Sequence, residues 1–148
     1  MRAERRAQVV WKGDLAHGSG TIVSSGSGAL ANLDVSWRSR TESSDGSTSP
    51  EELIAAAHAA CFSMALSHGL AQGGHAPDQL EVGAVCTFEQ VGDGWEITTM
   101  ELDVTGQVPG IDEAAFEEAA EEAKKGCPVS GALAGNVEIT VRPRLAEG

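Results

Sequence analysis

The stretch that most limits the possible folds is residues 49–69, SPEELIAAAHAACFSMALSHG. Its start is sharp. Ser49 fits the N-cap, Pro50 the first helical position, and Glu52 completes an S-x-x-E capping box. Leu53, Ala56, Ala57, Ala60, Cys61, Met64 and Ala65 then recur at helical spacing, while Ile54, Phe62 and Leu66 cover a second face. A helix apolar over most of its circumference is expected to be buried on most sides. Its many alanines would let another backbone approach closely, so it reads as a central helix.

The remaining elements follow from turn chemistry. AQVVWK (7–12) and TIVSS (21–25) read as strands separated by GDLAHGSG, and a third strand is expected around LDVSWRS, which places Arg38 and Arg40 at its end. SSDGSTS (43–49) is a loop of turn formers. LEVGAVCTFEQV and WEITTMELDVTGQV, joined through GDG, form a strong hairpin signal. A second helix starts at Asp112, with Phe116, Ala119, Ala120 and Ala123 as its apolar stripe and Gly126 as its C′ residue. Pro128 opens a short helical turn through Leu133, and NVEITVRPR supplies a last strand. Hairpins plus separate helices argue an α+β fold. The 148 residues are read as one domain, 1–148, without internal repeats.

Charge excludes some partners. Twenty-two acidic against ten basic side chains give a formal net charge of −12. That balance repels phosphate backbones and anionic lipid, so neither nucleic acid nor a membrane surface is expected as a partner. No apolar run approaches the roughly 20 residues of a membrane span. The N-terminus lacks the apolar stretch of a secretion signal, which predicts a cytoplasmic chain. Three cysteines at wide, irregular spacing make no disulfide framework.

Two of those cysteines stand in suggestive places. Cys127 follows the helix-ending Gly126 and precedes Pro128, so it falls at a helix N-terminus whose N–H groups favour a thiolate. Cys61 lies mid-helix and needs a cationic neighbour instead. Both also fit as small buried hydrophobes, the usual fate of an unpaired cysteine. Cys86, in step with Val82, Ala84 and Phe88 on a strand, reads as structural. His58 lies three residues before Cys61, but no C-x-x-C or H-E-x-x-H pattern completes a metal site, so a satisfied buried histidine is the simpler reading. Arg38 and Arg40 are the cations nearest the first helix. An arginine there would lower a thiol pKa and bind an oxygenated substrate if Glu51 or Glu52 oriented its fork; otherwise both arginines are solvated strand-end charges.

TSPEELIAAAHAACFSMAL followed by VPGID…F…AKKGCPVS resembles the osmotically inducible protein C (OsmC) branch of the peroxidase family that includes the organic hydroperoxide resistance proteins. The resemblance runs from about Trp11 to Val141. It implies an intertwined homodimer, with antiparallel sheets wrapped around central helices and two active sites at the subunit interface. It implies reduction of organic hydroperoxides, and of hydrogen peroxide less well. In that reading Cys61 is peroxidatic, Cys127 resolving, and Glu51 orients the active-site arginine. Arg40 is the better match for that arginine and Arg38 the fallback. No cofactor or metal is implied. The reductant would be an external dithiol, with dihydrolipoyl proteins as the family analogy. Two other readings keep the same fold: a dimeric binding protein for small apolar ligands, and a non-catalytic redox sensor.

Glu51 and Cys61 are ten residues apart, roughly 15 Å along an unbroken helix. The stretch between them has no Gly or Pro to break it. In a C2 dimer, Glu51 is therefore expected to serve its partner's Cys61.

Overall fold

The computed structural model describes residues 1–147. The chain separates into two compact units, Met1–Leu53 and the residues from Ile54 onward.

The first unit is an antiparallel sheet of β1 (Ala7–Lys12), β2 (Ser19–Ser25) and β3 (Leu33–Val35), in the order β1-β2-β3. Trp11 on β1 lies opposite Gly20 on β2. A Cβ at Gly20 would come within 2.7 Å of the Trp11 ring, so only glycine fits beneath the indole. The third strand stops earlier than its sequence suggests. Ser36 Oγ accepts a hydrogen bond from the Ser39 N–H, and Ser39 Oγ accepts one from the Ser36 N–H. This capping box starts a short helix, α1 (Trp37–Thr41), so Arg38 and Arg40 stand on a helical turn rather than a strand end.

The long helix α2 (Pro50–Gln72) starts as its sequence dictates, with Ser49 Oγ accepting the Glu52 N–H at 3.1 Å. The Glu52 carboxylate does not close the box; it accepts from the Thr48 hydroxyl at 2.8 Å. Within the second unit His58, Phe62, Leu66 and Leu70 form its buried stripe, at strict four-residue spacing. The opposite side is open, with Ala57, Ala60 and Met64 exposed, Met64 at 67 %. The expectation of a helix buried on most sides is therefore not met: one stripe is buried and the alanine face is open. By length and composition alone, α2 also passes for a membrane span, contrary to the sequence expectation.

The hairpin β4 (Gln79–Val91) and β5 (Gly94–Gln107) turns at Gly92, whose φ of +62° suits glycine. Asp112 caps α3 (Glu113–Gly126), its carboxylate accepting the Ala115 N–H at 2.8 Å. Gly126 remains the last helical residue instead of a left-handed C′. Cys127, in extended conformation, ends α3 and starts α4 (Pro128–Leu133). The two helices thus meet at one residue.

The final strand, β6 (Glu138–Leu145), pairs with β5 in parallel. This departs from the antiparallel expectation because α3 and α4 form a crossover that brings the chain back in β5's direction. Alternate residues of β5 (Met100, Leu102, Val104) meet Phe62, Leu66 and Leu70 of α2 and Phe116, Ala120 and Ala123 of α3 in the core. Each large side chain buried there contributes roughly 1.5–3 kcal/mol.

Candidate active site

Within the second unit, α2 and the α3–α4 junction bring Cys61 and Cys127 together. Both are reduced thiols, Cys61 partly exposed and Cys127 buried. Each thiol shifts the other's acidity, and the two move in opposite directions. Burial pushes the Cys61 thiol up, the Val129 N–H offsets part of that, and its position as donor to Cys127 adds to the rise. Burial also opposes the Cys127 thiolate. It is outweighed by the Ser130 N–H, the Cys61 thiol, the Ser130 hydroxyl and the Val129 N–H, so Cys127 lies below the usual thiol range. The Cys127 side chain makes no capping hydrogen bond to α4. Cys127 thus has the help that its place before α4 suggested, whereas among the described residues no cation contributes to the Cys61 shift.

Sequence reasoning missed what lies behind Cys127. His58 Nε2 is 2.8 Å from Ser130 Oγ, and both residues are buried. The histidine is not fully satisfied: its Nδ1 has no hydrogen-bond partner. Burial pulls its pKa down, so the ring is neutral. Seventy-two residues separate the partners, beyond the reach of any local pattern. Cys86 lies on β4 opposite Met100, packed against the core.

Beside Cys61 opens a groove of about 720 Å³. Met64, Ile111, Ala115, Ala119 and Pro128 give it apolar walls, and it is large enough for an alkyl or acyl chain.

The first unit holds the charged pair. Arg40 Nη2 donates to Glu51 Oε1 at 2.6 Å, and its Nε lies 3.2 Å from both carboxylate oxygens. Glu51 is buried and Arg40 about three-quarters buried, with its guanidinium 5.6 Å from the Trp37 ring centre. Two-point pairing fixes the plane of the fork. Arg38 faces other partners, Glu42 at 3.4 Å and Asp45 at 3.8 Å, with two-thirds of its side chain in solvent. Glu51 therefore orients Arg40, not Arg38.

The family profile described as OsmC-like protein matches residues 43–142. The chain is 41 % identical over 145 residues to "Peroxiredoxin OsmC" of Escherichia coli (strain K12), covering 98 % of this chain and 99 % of that protein. It is 34 % identical over 95 residues to "Organic hydroperoxide resistance protein" of Xanthomonas axonopodis pv. citri (strain 306), covering 64 % and 65 % of the two chains. The crystal structure of the organic hydroperoxide resistance protein OhrB of Bacillus subtilis superposes with a TM-score of 0.73 at 27 % identity, covering 94 % of this chain and 98 % of that one. The profile match and the near full-length relative agree with the two cysteine segments and the α+β fold, and the chain belongs to the OsmC-like protein family.

Proposed function

We propose that this chain is a thiol-dependent peroxidase that reduces organic hydroperoxides. One observation carries the reading: two reduced cysteines, distant in sequence, lie near enough for each thiol to shift the other's acidity, beside an apolar groove. The named activities of the relatives point the same way.

In this reading Cys61 is the peroxidatic thiol. Its thiolate attacks the distal peroxide oxygen, the O–O bond breaks, and the alkoxide leaves as alcohol after taking a proton. Cys61 is then a sulfenic acid. Cys127 attacks its sulfur, a disulfide forms, and the hydroxyl leaves as water. An external dithiol restores both thiols by exchange. The groove favours an alkyl peroxide over hydrogen peroxide.

The cation that Cys61 lacks comes from a second copy. α2 runs unbroken from Pro50 to Gln72, which sets Glu51 and Cys61 far apart along one axis. We assign Arg40, held by Glu51, to the Cys61 of the partner in a homodimer. The exposed alanine face of α2 is where another chain can approach. The working compartment is the cytoplasm.

Steady-state turnover of cumene hydroperoxide with a dithiol reductant tests the activity, and absence of turnover leaves a ligand-binding protein using the same groove. A mixed dimer of Cys61→Ser and Glu51→Ala chains tests the sharing. Mixing is expected to restore one good site per heterodimer. If subunit exchange is demonstrated without recovery, Glu51 does not act across the dimer.

A further inference from the structure

His58 is a buried polar side chain to which the peroxidase reading gives no task. It is fully buried on α2, three residues before Cys61, so both project from neighbouring positions of the helix. Its Nε2 meets Ser130 Oγ at 2.8 Å. Ser130 is the third residue of α4, and Cys127 is that helix's N-cap. A side chain at the third position reaches back toward the N-cap residue, which places the Ser130 hydroxyl where it lowers the Cys127 pKa.

A serine hydroxyl has a single proton to give. It goes either to the imidazole or to the sulfur. If Nε2 carries the ring proton, His58 donates to Ser130 and the hydroxyl proton is free to point at Cys127. Nδ1 is then a bare lone pair without a partner. If Nδ1 carries the proton, a buried N–H is left with no acceptor, since Nδ1 has no partner in the fold. An orphaned buried donor is the rarer of these two defects. A ring protonated at both nitrogens would be a charge in a site sealed from water.

We propose that His58, as its Nε2–H tautomer, is a positioning residue for the resolving step, holding the Ser130 hydroxyl as a donor to Cys127 Sγ. The proposal rests on Cys127 as the resolving thiol. The relay favours the thiolate of that sulfur without a second arginine. When Cys61 is a sulfenic acid, Cys127 Sγ attacks its sulfur, the S–O bond breaks and the S–S bond forms. Cys127 is oxidised, Cys61 is reduced, and the departing hydroxide takes a proton to become water. His58 stays neutral throughout and keeps its proton. Its contribution is direction.

The test uses the full chain carrying Cys61→Ser, so that no peroxide chemistry is involved. Alkylation of Cys127 by iodoacetamide at pH 7 is followed by mass spectrometry. Adding His58→Phe is expected to slow alkylation roughly fivefold, the loss of one weak donor to a thiolate. Ser130→Ala should do the same, and the two changes together should cost no more than either alone. His58→Gln, whose side-chain amide donates from the same place, should stay within about twofold of the parent. Faster alkylation with His58→Phe would overturn the proposal, because it would mean that the hydroxyl had been donating to the ring. An unchanged rate in both His58→Phe and Ser130→Ala would also overturn it. Should His58→Phe fail to fold, nitrogen-15 NMR of the unmodified chain decides: a proton on Nδ1 sinks the assignment, and one on Nε2 supports it. Failure of the peroxidase reading would show separately, as absence of turnover in the parent chain.

Discussion

β1–β3 and β4–β6 are both three-stranded sheets, and they differ in what they bury. β5 sends Met100, Leu102 and Val104 into a continuous core with α2 and α3. Between residues 1 and 53, Ile22 is the single apolar side chain that is buried, and every residue of β1 is exposed, with Val9, Val10 and Trp11 at 54 %, 41 % and 41 %. The coreless unit carries the Arg40–Glu51 pair, and the unit with the core carries both thiols. A sheet that buries so little on its own would gain order from another surface, and the proposed second copy would supply one.

The largest test of this division is Cys61→Ser. It is expected to reduce peroxide turnover by on the order of 10³-fold or more, because no other group at that position offers a thiolate. Cys127→Ser should instead complete one oxidation, with the Cys61 sulfenic acid and its over-oxidation products visible by mass spectrometry after one equivalent of peroxide. A Cys61–Cys86 disulfide in the parent would break the assignment.

Stability should separate the two sheets next. Phe116→Ala removes a ring at the centre of the second unit, whose edge lies where a Cβ on Gly106 would be, 2.6 Å away. Urea unfolding should show a loss of about 3–5 kcal/mol. Val9→Ala on exposed β1 should cost about 0.5 kcal/mol or less if the surface is free in solution. A larger loss that grows on dilution would show that a second copy covers it.

Arg40→Met should slow Cys61 alkylation at pH 7 about tenfold, because it removes the cation proposed to favour the partner's thiolate. Arg38→Met should leave the rate nearly unchanged. The reverse ranking would move the role to Arg38 and uncouple Glu51 from the thiol.

The smallest effect is the pH dependence of stability. Burial depresses the folded-state pKa of His58. The unfolded chain then binds more protons than the folded one below the free histidine value of about 6.5. The stability this gives is fully present above that value and is lost as pH falls below it. Melting temperature should therefore decline between pH 7 and 5.5, and His58→Gln should flatten part of that decline.

Much of the second unit was legible because its signals are local. Asp112, Pro128 and the Gly92 turn each act within a few residues, and α3, α4 and the β4–β5 hairpin begin where they predict. β6 was legible as a strand, but its direction was not, because pairing follows the route of α3 and α4 rather than the strand's own alternation. β3 was drawn too long because Ser36 and Ser39 form a capping box that an apolar alternation hides. Both cysteines, Arg40 and Glu51 were legible as candidates from their segments. The His58–Ser130 contact was not, since it is made only by packing α2 against α4.

The one-residue joint at Cys127 also has a consequence for the chain as it is made. Cys61 leaves the ribosome about 66 residues ahead of Cys127. At roughly 5–20 residues per second, that is on the order of 3–13 seconds of synthesis. During that interval a nascent chain has its first thiol and the helix that carries it, but no second sulfur to intercept an oxidised one. A sulfenic acid formed then proceeds toward the irreversible acids or is capped by a small thiol. For each sulfenic acid formed, over-oxidation should therefore be heavier in newly synthesised chains than in mature ones, and pulse-labelling followed by mass spectrometry of Cys61 would reveal the difference in age.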